Sequence, residues 1–139
     1  MKKILYCILF CCCFLQTFAQ TTQKPYQGKF YNKDYGIYLN LDLYKESIEI
    51  PGYSFFGKVN GYIDGKIHST WILVSYKIHE DHAHIRLSND QGAESQSIII
   101  SCPNDSILNY RAIDGNHIKR VQKGKFVKIP QELIFNRIN

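Results

Sequence analysis

The chain holds 139 residues, the size of one ordinary domain. Hydrophobic residues make up 45% and charged residues 21%, which excludes a disordered tail. The formal net charge is +5, but Lys2 and Lys3 belong to a removable leader. Without them 15 basic residues face 12 acidic ones, and a balance of +3 gives no footing for nucleic-acid binding.

Lys2 and Lys3 precede a run of 12 apolar residues over 4–15. That length suits a signal-peptide core and is too short to span a bilayer. Thr17-Phe18-Ala19 then sets up a cut before Gln20. Residues 1–19 therefore read as a signal peptide, and 20–139 as a single domain exported to the periplasm or the extracellular space, not an integral membrane protein. Four cysteines, Cys7, Cys11, Cys12 and Cys13, lie in the apolar run. Acylation at Cys12 is the less favoured alternative, because Cys11 precedes it where a lipoprotein has a small residue. Cleavage leaves Cys102 alone, with no partner for an intramolecular disulfide.

Eighteen Tyr and Phe residues against one Met suit strands better than helices. No stretch keeps a 3.6-residue period over ten residues, whereas two-residue alternation recurs. Strands are expected near 28–32, 36–44, 53–63, 66–78, 83–89, 94–102, 106–113, 117–123 and 132–137, with a short piece near 47–50. The clearest is Ile37, Leu39, Leu41 and Leu43 alternating with Tyr38, Asn40, Asp42 and Tyr44. Turn signals separate the runs, among them Pro51-Gly52, Asp64-Gly65, Glu80-Asp81, Asp114-Gly115-Asn116 and Gly124. Eight to ten strands with tight turns describe an all-β antiparallel up-and-down meander. Such a sheet closes as a small barrel or, alternatively, folds over as a β-sandwich, since either removes exposed edges.

Gly28-Lys29-Phe30 at the first strand and Arg137 after Leu133-Ile134-Phe135 at the last resemble the calycin pattern of lipocalins and their relatives. The resemblance implies an up-and-down barrel that holds small apolar ligands inside, with Phe30 and Arg137 closing one end. The chain departs from that pattern in carrying Phe where lipocalins have Trp, and in lacking a helix before the final strand.

Three groups of side chains are candidates for function. With Glu80-Asp81 as a hairpin tip, Ile78 pairs with Ala83, His79 with His82 and Lys77 with His84. This sets His79, His82 and His84 on one face, as a Zn²⁺ or Cu²⁺ site requires. The same register sends Val74, Tyr76, Ile78, Ala83, Ile85 and Leu87 to the core and leaves the histidines beside Lys77 and Arg86 on an exposed surface. Solvated turn residues are the commoner meaning of that pattern. Second, Tyr38, Tyr44, Tyr53, Phe55, Phe56 and Tyr62 form an aromatic population suited to a ligand or partner surface, or to cross-strand packing. Within it, 53–58 is an insertion loop if exposed and core if buried. Third, 117–128 carries Lys119, Arg120, Lys123, Lys125 and Lys128 without an acid, fitting an anionic partner or a protected edge.

No catalytic or nucleotide-binding signature occurs, and no cofactor is implied. The expectation is a non-enzymatic exported binding protein of the bacterial cell envelope, engaging a ligand or partner protein whose identity the sequence leaves open. Its alternatives are an immunity or inhibitor protein that neutralises a toxin or cell-wall hydrolase, and a His-rich metal-binding protein.

Overall fold

Alternating residues become strands wherever one face can be buried. The computed structural model describes residues 23–139, so the leader, its four cysteines and the cleavage position before Gln20 lie outside the described residues. Among the described residues twelve strands occur in chain order. They are β1 (Gln27–Asn32), β2 (Ile37–Asp42), β3 (Ile48–Glu49), β4 (Lys58–Val59), β5 (Gly61–Gly65) and β6 (Trp71–Ile78), then β7 (Ala83–Asn89), β8 (Ser95–Asn104), β9 (Ile107–Gly115), β10 (Lys119–Gln122), β11 (Lys125–Lys128) and β12 (Glu132–Ile138). Eight of them, β1, β2, β5, β6, β7, β8, β9 and β12, pair in sequence order into a closed antiparallel barrel. β12 returns to β1, where Phe30 pairs with Arg137. That pairing removes the last free edge and decides for a barrel over a sandwich. Among the described residues no helix is long and apolar enough to cross a membrane.

The inward residues form one cluster. Phe30, Ile37, Leu39, Leu41, Ile63, Trp71, Leu87, Ile98, Leu108 and Phe135 are all buried to within 1 or 2% of complete. A ligand-sized void would leave these side chains accessible surface, so the barrel is filled by its own residues, as eight strands allow. Inside it Tyr110 donates its hydroxyl to Oε1 of Gln96 at 2.8 Å. Tyr38 points outward and stacks on Tyr31, its cross-strand partner, with ring centroids 4.5 Å apart.

Two ribbons elaborate the barrel. β3 and β4 pair within the long connection from β2 to β5, which straps the outer wall and buries Ile50 against Tyr62 and Ile72. β10 and β11 form a hairpin between β9 and β12, with Ile118 and Ile129 at its base in the core. Arg120 of this hairpin lies over the Tyr35 ring at 4.8 Å, and His68 meets the Phe126 ring edge-on at 4.7 Å.

Local corrections have local causes. The expected strand 53–63 is broken into a 3₁₀ turn (Ser54–Phe56), β4 and β5, because Gly57 adopts a φ of +68° and reverses the chain. The expected strand 66–78 begins only at Trp71. β11 falls where no strand was expected; Lys123 and Gly124 both take positive φ, the two-residue turn that a right-handed hairpin favours. Val74, expected in the core, is 58% exposed because the register shifts between Leu73 and Ser75. Tyr76 and Ile78 keep their inward partners Ile85 and Ala83 but stay partly exposed, since β5 pairs with β6 only at Ile72 and Trp71.

Candidate functional site

The 53–58 segment resolves as an exposed loop on a fixed base. Tyr53 N–H donates to the Ile50 carbonyl at 3.0 Å, Phe56 N–H to Tyr53 at 3.1 Å and Gly57 N–H to Ser54 at 3.0 Å. These bonds close the turn at both ends. The Tyr53 hydroxyl donates to Oδ2 of Asp90, on the β7–β8 connection, at 2.5 Å. This bond to the carboxylate is the main cause that raises the Tyr53 pKa, so the phenol remains the donor.

Above that base three rings gather. Phe55 and Phe56 lie 4.4 Å apart between centroids, and each is 5.9 Å from Tyr53. Phe55 is 76% exposed and Phe56 38%. Beside them a groove runs along the outer wall, lined by Phe56, Val59, Ile72, Val74, Ser88 and Asp90 among others. The bulge that turns Val74 outward thus extends the apolar surface begun by Phe55 and Phe56.

The other sequence candidates are distributed differently. Tyr62 is buried beneath the strap, and burial, then the charge of Asp64, raises its pKa; it supports the loop and cannot contact a partner. Tyr38 lies on the outer wall with Tyr31. Tyr44 sits near the chain's start, with Lys24 Nζ 5.0 Å from its ring and its hydroxyl accepting a long bond from the Tyr26 N–H at 3.4 Å. Tyr53, Phe55 and Phe56 therefore form one surface, with Tyr62 under it and Tyr38 and Tyr44 apart.

At the β6–β7 hairpin the expected pairings are present: Lys77 with His84 and Ile78 with Ala83, while His79 N–H donates to the His82 carbonyl at 2.8 Å. The three imidazoles converge, with centroids 4.6 Å (His79 to His82), 5.1 Å (His79 to His84) and 5.2 Å (His82 to His84) apart. Oδ1 of Asp81 lies 2.6 Å from Nδ1 of His82. Desolvation and then the neighbouring His82 and His84 lower the His79 pKa, favouring the neutral ring. The hydrogen bond to His82 holds Asp81 below its ordinary value.

At the Phe30 end, the Arg137 guanidinium carbon lies 4.5 Å above the Phe30 ring. Its Nε donates to the Asp105 carbonyl at 2.6 Å, Nη1 to that of Gln27, and Nη2 to that of Pro25 at 3.2 Å. Cys102 lies nearby, its thiol donating to the Pro25 carbonyl at 3.3 Å. Burial pushes that thiol up to about 11, with Arg137 pulling the other way, which favours the protonated form at neutral pH. On the β10–β11 hairpin, Val121 and Phe126 pair across the strands and are each 61% exposed, with Lys119 and Lys128 paired on the same face.

Sequence reasoning missed Asp90 as the anchor of Tyr53, because the two are 37 residues apart and only the fold joins them. It missed Asp81 as the orienting group of His82, although their adjacency in the chain was a usable signal. No known protein family, curated protein or solved structure matches the chain.

Proposed function

We propose that the protein is a non-enzymatic, exported binding protein of the bacterial cell envelope that engages a partner protein through the Phe55–Phe56 loop and the adjoining groove. One observation carries the reading: two exposed rings stand on a base pinned by the Tyr53–Asp90 bond. Exposed aromatic pairs held in advance of binding lose little freedom on association, which is how a small contact gives useful affinity. The likeness to lipocalins rests on Gly28, Phe30 and Arg137, but the filled interior directs binding to the outside.

The projecting shape of the loop favours a concave partner. That supports the narrower reading of an immunity or inhibitor protein that blocks the cleft of a toxin or cell-wall hydrolase.

The test compares native mass spectra of complexes captured from envelope extract by the wild type, by Phe55→Ala/Phe56→Ala and by Tyr38→Ala. A stoichiometric companion is expected with the wild type and with Tyr38→Ala. The double variant should hold it at least about thirtyfold more weakly, the loss typical of a truncated binding hot spot. Equal retention by the double variant, or no companion for any of the three, refutes the reading. For the narrower form, the companion is a hydrolase or toxin whose activity falls on adding the wild type and not the double variant.

A further inference from the structure

We propose that the β6–β7 hairpin is a transition-metal site, in which His79, His82 and His84 bind one divalent ion of the Zn²⁺ or Cu²⁺ class. The site is independent of the Phe55–Phe56 surface and does not rest on the binding reading above.

One donor nitrogen from each ring can be chosen so that all three lie within 4.8 Å of one another. Zn–N bonds of 2.0–2.1 Å at tetrahedral angles need nitrogens about 3.3 Å apart. The χ1 and χ2 torsions of the three side chains are the freedom by which an ion would close that difference. The backbone beneath is already set by the Lys77–His84 and Ile78–Ala83 pairs and by the His79 N–H to His82 carbonyl bond. A solvated turn accounts for exposed histidines one at a time. Hairpin register brings the three rings to one face, and a carboxylate also engages the back of one of them, which a solvated turn does not require.

Asp81 supplies that second feature. With Nδ1 of His82 held by the Asp81 carboxylate at 2.6 Å, Nε2 is left as the ligating atom and the ring is oriented. The donor set selects the ion. Three imidazoles without a ligating carboxylate or carbonyl do not suit Ca²⁺ or Mg²⁺, which require oxygen. Imidazole nitrogen suits Zn²⁺ and Cu²⁺, with Cu²⁺ the tighter at a given site. Lys77, paired with His84, opposes a bound cation and weakens the site. The hairpin tip is at the surface, so the remaining coordination positions are open to water.

Untagged protein, stripped with chelator, is titrated calorimetrically with ZnCl₂ and separately with CuSO₄, alongside His84→Ala and Asp81→Asn. Folding of each variant is checked by the emission of Trp71, the chain's single tryptophan, which is buried in the barrel. One ion per chain is expected, with at least about a tenfold loss in His84→Ala and about tenfold in Asp81→Asn. Because every variant carries the same cysteines, the difference from wild type isolates the hairpin. Absence of saturable binding of either ion, or a His84→Ala affinity equal to wild type, overturns the proposal. An Asp81→Asn affinity equal to wild type overturns the role given to Asp81.

Discussion

Arg137→Ala removes the clamp that ties three parts of the chain together. The guanidinium reaches the carbonyls of Gln27 and Pro25 near the start of the described chain, that of Asp105 in the β8–β9 turn, and the face of Phe30. Hydrogen bonds from a charged donor are worth about 1.5–3 kcal/mol when buried. Arg137 is half-buried, so about 1 kcal/mol each for the Asp105 and Gln27 bonds is the fair figure after solvent screening. The cation–π contact adds about 1 kcal/mol. The expected loss is therefore about 3 kcal/mol, or a fall in Tm of about 12 °C for a chain of this size. Urea unfolding followed by Trp71 emission measures it, with an unchanged m-value if the denatured state is unaffected. Arg137→Lys keeps a charge over Phe30 but loses the planar fork, and should lose about 2 kcal/mol. A loss in Arg137→Ala below about 0.5 kcal/mol, or a lysine variant equal to wild type, would refute this account of how the barrel end is closed.

Three further substitutions probe other parts of the fold. Gly28 has a φ of +141° and a Cβ there would collide with Nη1 of Arg137, so Gly28→Ala should cost about 2 kcal/mol in urea unfolding. In the Arg137→Ala background the steric part of that cost disappears, and strictly additive losses would contradict the contact. Tyr110→Phe strands Gln96, which is buried inside the barrel, at a cost of about 1–3 kcal/mol. Adding Gln96→Leu should recover most of it, and a double variant no better than Tyr110→Phe would exclude that pairing. For Asp42, burial alone would raise the carboxyl. Hydrogen bonds from Ser47, Gln27 and the Tyr44 and Lys45 N–H groups together outweigh it and lower the pKa. The folded value thus lies below the unfolded one of about 3.9. Its stabilisation is full above that pH and is lost as pH falls through the folded value. Asp42→Asn should show a flatter acid limb of urea midpoint against pH, and identical limbs would refute the assignment.

Alternation along 37–43 was legible in the chain because the pleat sends successive side chains to opposite faces whatever lies opposite them. The pairings at the Glu80-Asp81 tip were legible for the same reason, since a tight turn sets register over the few residues beside it. Phe30 and Arg137 could be paired only by resemblance, because two residues so far apart in the chain carry no local sign of contact. Whether Phe55 and Phe56 face solvent, and that Val74 leaves the core, turned on a bulge and on the distant Asp90. Sequence alone therefore determined most of the strands and which face of most is apolar, while the break at 54–57, the late start of β6 and the whole of β11 escaped it. Tertiary structure decided that the meander closes, that its interior is full, and which aromatic rings remain outside. Closure depends on β12 meeting β1, and filling depends on the summed volume of side chains from all eight strands, neither of which is a property of any one segment.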